Sequence, residues 1–231
     1  MGKLYDLLKQ DFRFQEGLRS CINCGTCTAI CPAAEFYKYD PRSIVDTVQS
    51  KDEEAIEALL KSDTIWYCGE CMSCVTRCPR KNAPGLVVMA LRTLSINLGY
   101  YMESEKGRQQ YILTKDLCGN VLKYGYCVYP RGFKYEDHKE AGTTWQWEEE
   151  HLDDVYERLG ANLDKPGPGA VRKIAQEDLD DLKRIFDISG GTARMTAVVD
   201  AGLKKAKELG ITEEEYAKKV NTECKFDHLN H

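Results

Sequence analysis

Two cysteine runs, CINCGTCTAICP starting at Cys21 and CGECMSCVTRCP starting at Cys68, constrain this chain more than any other feature. Both have the form C-x2-C-x2-C-x3-C-P: Cys21, Cys24, Cys27 and Cys31 precede Pro32, and Cys68, Cys71, Cys74 and Cys78 precede Pro79. Spacings of three let a short loop wrap one iron–sulfur cube and offer it three thiolates. The fourth cysteine, set one residue further on and followed by proline, points away and ligates the other cluster. The pattern predicts two [4Fe-4S] clusters with crossed ligands, one on Cys21, Cys24, Cys27 and Cys78, the other on Cys68, Cys71, Cys74 and Cys31. Crossing ties the loops together and holds the clusters close, as an electron relay requires.

Soft, fully thiolate coordination selects iron–sulfur or zinc over hard metals. Zinc motifs pair cysteines as C-x2–4-C and then leave a longer gap; here three evenly spaced cysteines and a C-P recur twice. Cleavage of S-adenosylmethionine needs an iron left open by only three cysteines, and two complete sets of four offer no such vacancy.

The remaining cysteines of the eleven, Cys118, Cys127 and Cys224, form no recognisable site and are expected to be inert. His138, His151, His228 and His231 lack metal-ligand spacing, and Glu148–Glu150, Asp180 and Asp181 read as charged helix faces. No complete glycine motif for phosphate or dinucleotide is present, so no flavin or nicotinamide is expected. The start, MGKLYDLLKQDFRF, has no apolar signal core. The longest apolar run, Leu86–Leu91, is far too short to span a bilayer. A reducing cytoplasm is the expected compartment, where clustered cysteines hold metal more often than they form disulfides. The formal charge of −5 falls to about −9 with two oxidised clusters bound. With no Lys/Arg stripe, the chain is not expected to bind nucleic acid. Its charge suits a locally basic protein surface.

The periodicity predicts a mainly α chain in two domains, residues 1–100 around the clusters and 101–231 as an extension. Residues 1–20 read as one amphipathic helical lead-in. Pro41 opens a helix with Ile44, Val45 and Val48 on one face, and a second starts near Ser50, with Ser50 and Glu53 as a capping box over Ile56, Leu59 and Leu60. Pro84 opens a helix ending at Leu98–Gly99, and its run Leu86–Met89 predicts burial on several sides. Residues 100–170 read as mostly irregular. Helices follow from about Asp178 to Gly190 and from Ala193 to Leu209, then a last one capped by Thr212 and Glu215, before a polar tail.

Within the loops, Gly25, Thr26, Gly69 and Ser73 are expected to let backbone amides approach the sulfurs, and Ile22, Ile30, Met72 and Val75 to shield the cubes. Arg77, Arg80 and Lys81 either offset cluster charge or form a solvated surface. Trp145 and Trp147 read equally as interface anchors and as local core.

CINCGTCTAICP, IWYCGECMSCVTRCPR and the apolar helix ending LRTLSINLGY together resemble the C subunit of heterodisulfide reductase over about residues 15–100. The resemblance implies the α-helical ferredoxin fold and the eight motif cysteines as cluster ligands. It also implies electron transfer between a flavin-containing A subunit and a disulfide-active B subunit. The B-type site uses adjacent cysteines, and no Cys-Cys pair occurs here. The extension departs from methanogen C subunits and is more similar to the version in the sulfur-oxidising, heterodisulfide-reductase-like complex, which would place the chain in sulfur metabolism. A free ferredoxin-like carrier and an iron–sulfur subunit of a quinone-linked dehydrogenase are the alternatives.

Overall fold

The computed structural model describes residues 3–222, with the backbone alone at Glu140 and Thr222. The expected polar tail lies outside them apart from its first two residues, which end a helix; so do Cys224, His228 and His231. The chain is mainly α, with no strand among the described residues. It divides into two compact units, one running up to Arg108 and one from Gln109 onward.

In the first unit the lead-in is helical as expected, in two pieces. α1 (Lys3–Leu8) buries Leu4 and Leu8, and α2 (Phe12–Gly17) buries Phe14. Asp11 breaks the run because its carboxylate accepts from the Arg13 amide at 2.9 Å and caps a new helix. Short α3 (Thr26–Ala29) and α4 (Ala33–Phe36) follow. α5 (Pro41–Ser50) starts on proline, is capped by Asp40 and buries Ile44, Val45 and Val48 as expected. α6 (Glu53–Leu60) buries Ile56 and Leu60, but its cap is Asp52, which accepts from the Glu54 and Ala55 amides. Ser50 and Glu53 therefore form no capping box. Glu53 instead accepts from the Leu4 and Tyr5 amides at 2.7 and 3.0 Å, capping α1 from a distance.

α7 (Ser73–Arg77) leads to α8 (Pro84–Asn97), which packs against α1, α2, α5, α6 and α7. Val87, Val88 and Leu91 are fully buried, so α8 is the central helix that its apolar run predicts. The chain just before the first cysteine run is zipped to the chain just after the second. Ala83 N–H donates to Gly17 C=O at 2.8 Å, and Asn82, itself buried, bonds the Arg19 amide and the Ser20 carbonyl at 2.8 and 3.0 Å. α9 (Glu105–Arg108) closes the unit.

The second unit corrects the expectation of irregular chain over 100–170. α10 (Gln110–Leu113), a π turn at Thr114–Cys118 and α11 (Gly119–Tyr124) run on continuously, and α12 (Gly142–Glu150) and α13 (Leu152–Arg158) follow. The π turn shifts the helical register within the first run, and α12 and α13 are short helices held by tertiary packing. Longer helices complete the unit: α14 (Gln176–Ile188), α15 (Gly191–Leu209) and α16 (Glu213–Thr222). The capping box at α16 forms as expected, with the Glu215 amide donating to Thr212 Oγ1 and the Thr212 amide to Glu215. The core gathers Tyr111, Ile112, Ala206, Tyr216, Ala217 and Val220. On α14, Leu179, Leu182 and Phe186 are half-buried and Ile185 is exposed.

Candidate metal centres

The two cysteine loops repeat one backbone course. In the first, Asn23 and Gly25 adopt positive φ of 59° and 79° before α3 begins at Thr26. In the second, Glu70 and Met72 do so at 54° and 60° before α7 begins at Ser73. This left-handed course curls each loop so that an amide turns back on its first thiol: Asn23 N–H lies 3.4 Å from Cys21 Sγ, and Glu70 N–H 3.4 Å from Cys68 Sγ. Gly69, expected to supply this freedom, does not; Glu70 and Met72 take the left-handed positions as non-glycine residues. A third amide, Asn82 N–H, lies 3.3 Å from Cys78 Sγ.

Hydroxyls repeat as well. Thr26 lies 3.3 Å from Cys24 Sγ and Ser73 3.4 Å from Cys71 Sγ, and these contacts hold both thiols below the ordinary thiol range. Burial instead pushes the Cys27 and Cys74 thiols up. Thiolate is the ligating form, so the exposed members of each loop are the more readily deprotonated.

α3 and α7 pack together and draw the loops toward one another. Cys78, from the second run, lines one concavity with Cys21, Cys24 and Cys27, flanked by Arg42 and Arg80. Cys31, from the first run, lies within electrostatic reach of Cys74, as Cys68 does. Cys78 thus sits beside the first loop's thiols, and Cys31 and Cys68 pack against the same core. All eight thiols are free of disulfides. Among the described residues, no three or more His, Cys, Asp or Glu converge on a single-ion position. Two loops of thiols with amides aimed at sulfur, around a shared concavity, fit a cluster with several irons and inorganic sulfide.

Side chains outside the motifs hold the loops. Arg92 of α8 donates to the Ile65 and Cys68 carbonyls at 2.7 and 2.6 Å and pairs with Glu70 at 2.6 Å. Gln49 of α5 bonds the Cys21 amide and carbonyl at 2.7 and 3.1 Å. Arg42 reaches Asn23 at 3.1 Å and pairs with Asp40, which also accepts from Thr28 of α3. Against burial, which acts upward, Arg42, Thr28 and the Ser43 amide hold Asp40 below the usual carboxylate range. Tyr39 is buried in the core against which Cys68 and Cys31 pack, and burial foremost, then Cys68, pushes its phenol far above the ordinary value. None of these five lies inside a cysteine motif. The only signals for them are polar residues at otherwise apolar positions, Arg92 in α8 and Gln49 after Val48.

The expected shields behave differently. Ile22 is exposed but lines the concavity beside Cys21 and Cys24, Ile30 and Val75 are exposed, and Met72 packs where Gly85 leaves room. Arg80 lines the concavity, while Arg77 and Lys81 face solvent. In the second unit Trp145 packs inward and donates to the Phe133 carbonyl at 3.1 Å, and Trp147 is exposed and stacks on His151. Cys118 and Cys127 are free thiols, and His138 is buried against Asp116 at 3.1 Å.

Residues 17–82 match the 4Fe-4S dicluster domain family. The chain is 45% identical over 102 residues to the C subunit of the ferredoxin:CoB-CoM heterodisulfide reductase of Methanosarcina acetivorans, covering 43% of this chain and 40% of the relative. It is 32% identical over 96 residues to the C2 subunit of the H(2)/formate:CoB-CoM heterodisulfide,ferredoxin reductase of Methanococcus maripaludis, 42% of this chain and 50% of the relative. A third relative, the iron-sulfur C subunit of the CoB--CoM heterodisulfide reductase of Methanopyrus kandleri, is 30% identical over 115 residues, 49% of this chain and 58% of the relative. The chain spans about half the length of the curated relatives it matches. These matches support the resemblance to heterodisulfide reductase C subunits over the first unit, which carries two [4Fe-4S] clusters.

Proposed function

We propose that this chain is the electron-transfer subunit of a heterodisulfide-reductase-like complex, relaying single electrons between a flavin-containing subunit and a disulfide-active subunit. The observation that carries this reading is the concavity shared by Cys21, Cys24, Cys27 and Cys78, which joins the two motifs into one structure. In the proposed ligand set those four hold one cluster, and Cys68, Cys71, Cys74 and Cys31 hold the other. [4Fe-4S] clusters supply one-electron storage and release. The chain's own residues fix the thiols, aim the Asn23, Glu70 and Asn82 amides at sulfur, and place Arg42 and Arg92 where their charge offsets that of the thiolates.

The absence of any Cys-Cys pair assigns disulfide chemistry to a partner. The exposed side chains of Ile30 and Val75 beside the loops suit a partner's docking face more than a shield. Residues 101–231 form the proposed assembly segment, and the cytoplasm the proposed compartment. Among the described residues, no helix is long and apolar enough to cross a membrane. A long segment without clusters favours a dedicated subunit over a free ferredoxin-like carrier.

Anaerobic purification from the native host under gentle conditions tests the assignment. Recovery with a flavoprotein and a subunit rich in Cys-Cys pairs is expected, and repeated recovery as a lone monomer would overturn it. Partner-free protein should accept electrons from a low-potential donor and leave a disulfide substrate unreduced. Disulfide turnover by the isolated chain would count equally against the relay.

A further inference from the structure

Tyr39 sits in the tight turn between α4 and α5, its amide donating to the Tyr37 carbonyl at 2.7 Å. Its side chain is 3% exposed and belongs to the core formed with Ile44, Val48, Val88 and Leu91. Its hydroxyl is buried with no hydrogen-bond partner among the described residues, in the core against which Cys68 and Cys31 pack. Burying an unpaired hydroxyl is costly, so a core that keeps one instead of phenylalanine calls for an acceptor. Thiolate sulfur is such an acceptor, and both cysteines are proposed ligands of the same cluster. On the first loop's side, the comparable polar group, Gln49, is already engaged with the Cys21 backbone.

We propose that Tyr39 is a positioning residue for the cluster of the second motif, its hydroxyl donating to the Cys68 or Cys31 thiolate and raising that cluster's reduction potential. This rests on reading Cys68 and Cys31 as ligands. A hydrogen bond to sulfur favours the more negative, reduced state. The two clusters, held by loops of near-identical course, are thereby set apart in potential by a side chain outside both motifs.

The test is a potentiometric titration of the full chain followed by electron paramagnetic resonance, with Cys24→Ser and Cys71→Ser marking which signal belongs to which loop. Tyr39→Phe should keep its full iron and sulfide content. The Cys71-marked signal should move to lower potential by about tenfold in its one-electron equilibrium, about 59 mV, with the Cys24-marked signal unmoved. Two unmoved midpoints, or movement of the Cys24-marked signal alone, would overturn the proposal. Should Tyr39→Phe lose iron, 3-fluorotyrosine placed at position 39 keeps the ring and offers a more acidic donor. The Cys71-marked midpoint should then rise, and an unchanged midpoint refutes the hydrogen bond. Cys31→Ser judges the ligand reading separately. It should alter the Cys71-marked signal; alteration of the Cys24-marked one breaks the crossing, while the tyrosine still stands or falls on Cys68.

Discussion

The guanidinium of Arg92 donates to the carbonyl of Cys68 at 2.6 Å, so the second cysteine loop hangs from the helix that fills the core. The same fork holds the Ile65 carbonyl and Glu70, and it lies over the Trp66 ring, 5.4 Å from its centroid. Lysine carries the charge but not the planar fork. Arg92→Lys is therefore expected to cost about 2–4 kcal/mol, since hydrogen bonds to charged groups contribute about 1.5–3 kcal/mol each and some are retained. Denaturant unfolding measures the loss, and iron content should fall at the second-motif cluster first.

Glu53 makes a comparable link at the other end of the unit. Its carboxylate receives the first amides of α1, a helix of six residues that cannot persist alone. Glu53→Ala should cost about 1–2 kcal/mol, as loss of a helix cap does. Hydrogen exchange should show the protection of α1 lost and that of α8 retained. Unchanged exchange in α1 would refute the cap.

Helices whose signals are local were legible in the sequence. Pro41 and Pro84 open α5 and α8, Gly210 ends α15 with φ of 68°, and Thr212 and Glu215 cap α16. The errors lie where distant residues decide. Ser50 and Glu53 match a capping box, but Asp52 stands two residues nearer the helix, leaving Glu53 free to serve α1. The run from Gln110 to Tyr124 reads as irregular because the π turn at Thr114–Cys118 shifts the helical register midway; Tyr111 is held by Tyr216 and Glu213 from the far end of the unit. At the site, the spacing alone points to the thiols, whereas Arg42, Gln49, Asn82 and Arg92 act across long sequence separations that carry no motif.

Asp40 makes the first loop sensitive to acid. Its folded-state pKa is depressed, so its contribution is complete above the ordinary value near 4 and drains away as pH falls below that, through the folded value. Protonation weakens its grip on Thr28 and Arg42 together, loosening α3. In apo protein, Asp40→Asn should be less stable than the parent at neutral pH, and the difference should shrink as pH drops below about 4. Urea titrations at several pH values would show the convergence; a constant difference would exclude this role.

Iron removal should separate the loops from the core. α3 and α7 have four and five residues, too few to hold helical form unaided. The buried core of the first unit, from Leu4 to Leu94, is built of apolar side chains, with Cys21, Cys31 and Cys68 packed at its margin. Chelation under reducing conditions should leave most far-ultraviolet helical signal and abolish amide protection at Asn23, Glu70 and Asn82. Complete loss of helical signal would show instead that cluster binding and folding of the whole unit are one event.

Gly202 offers a test confined to the second unit. Replacing glycine with alanine inside a helix is ordinarily favourable by about 1 kcal/mol. A Cβ at position 202, however, would land on the ring of fully buried Tyr111, well inside contact distance. That ring is held on its other edge by Tyr216 and tied through its hydroxyl to Glu213 at 2.9 Å, so it has little room to yield. Overpacking of this kind costs about 1–3 kcal/mol, which outweighs the propensity gain. Gly202→Ala should therefore destabilise the second unit by a net amount of up to about 2 kcal/mol, with iron content and cluster signals at parental levels. Thermal unfolding followed by tyrosine fluorescence, alongside iron absorbance, distinguishes the outcomes: a parental fluorescence transition would mean the helix shifts to admit the methyl, and early loss of iron would mean the units do not unfold separately.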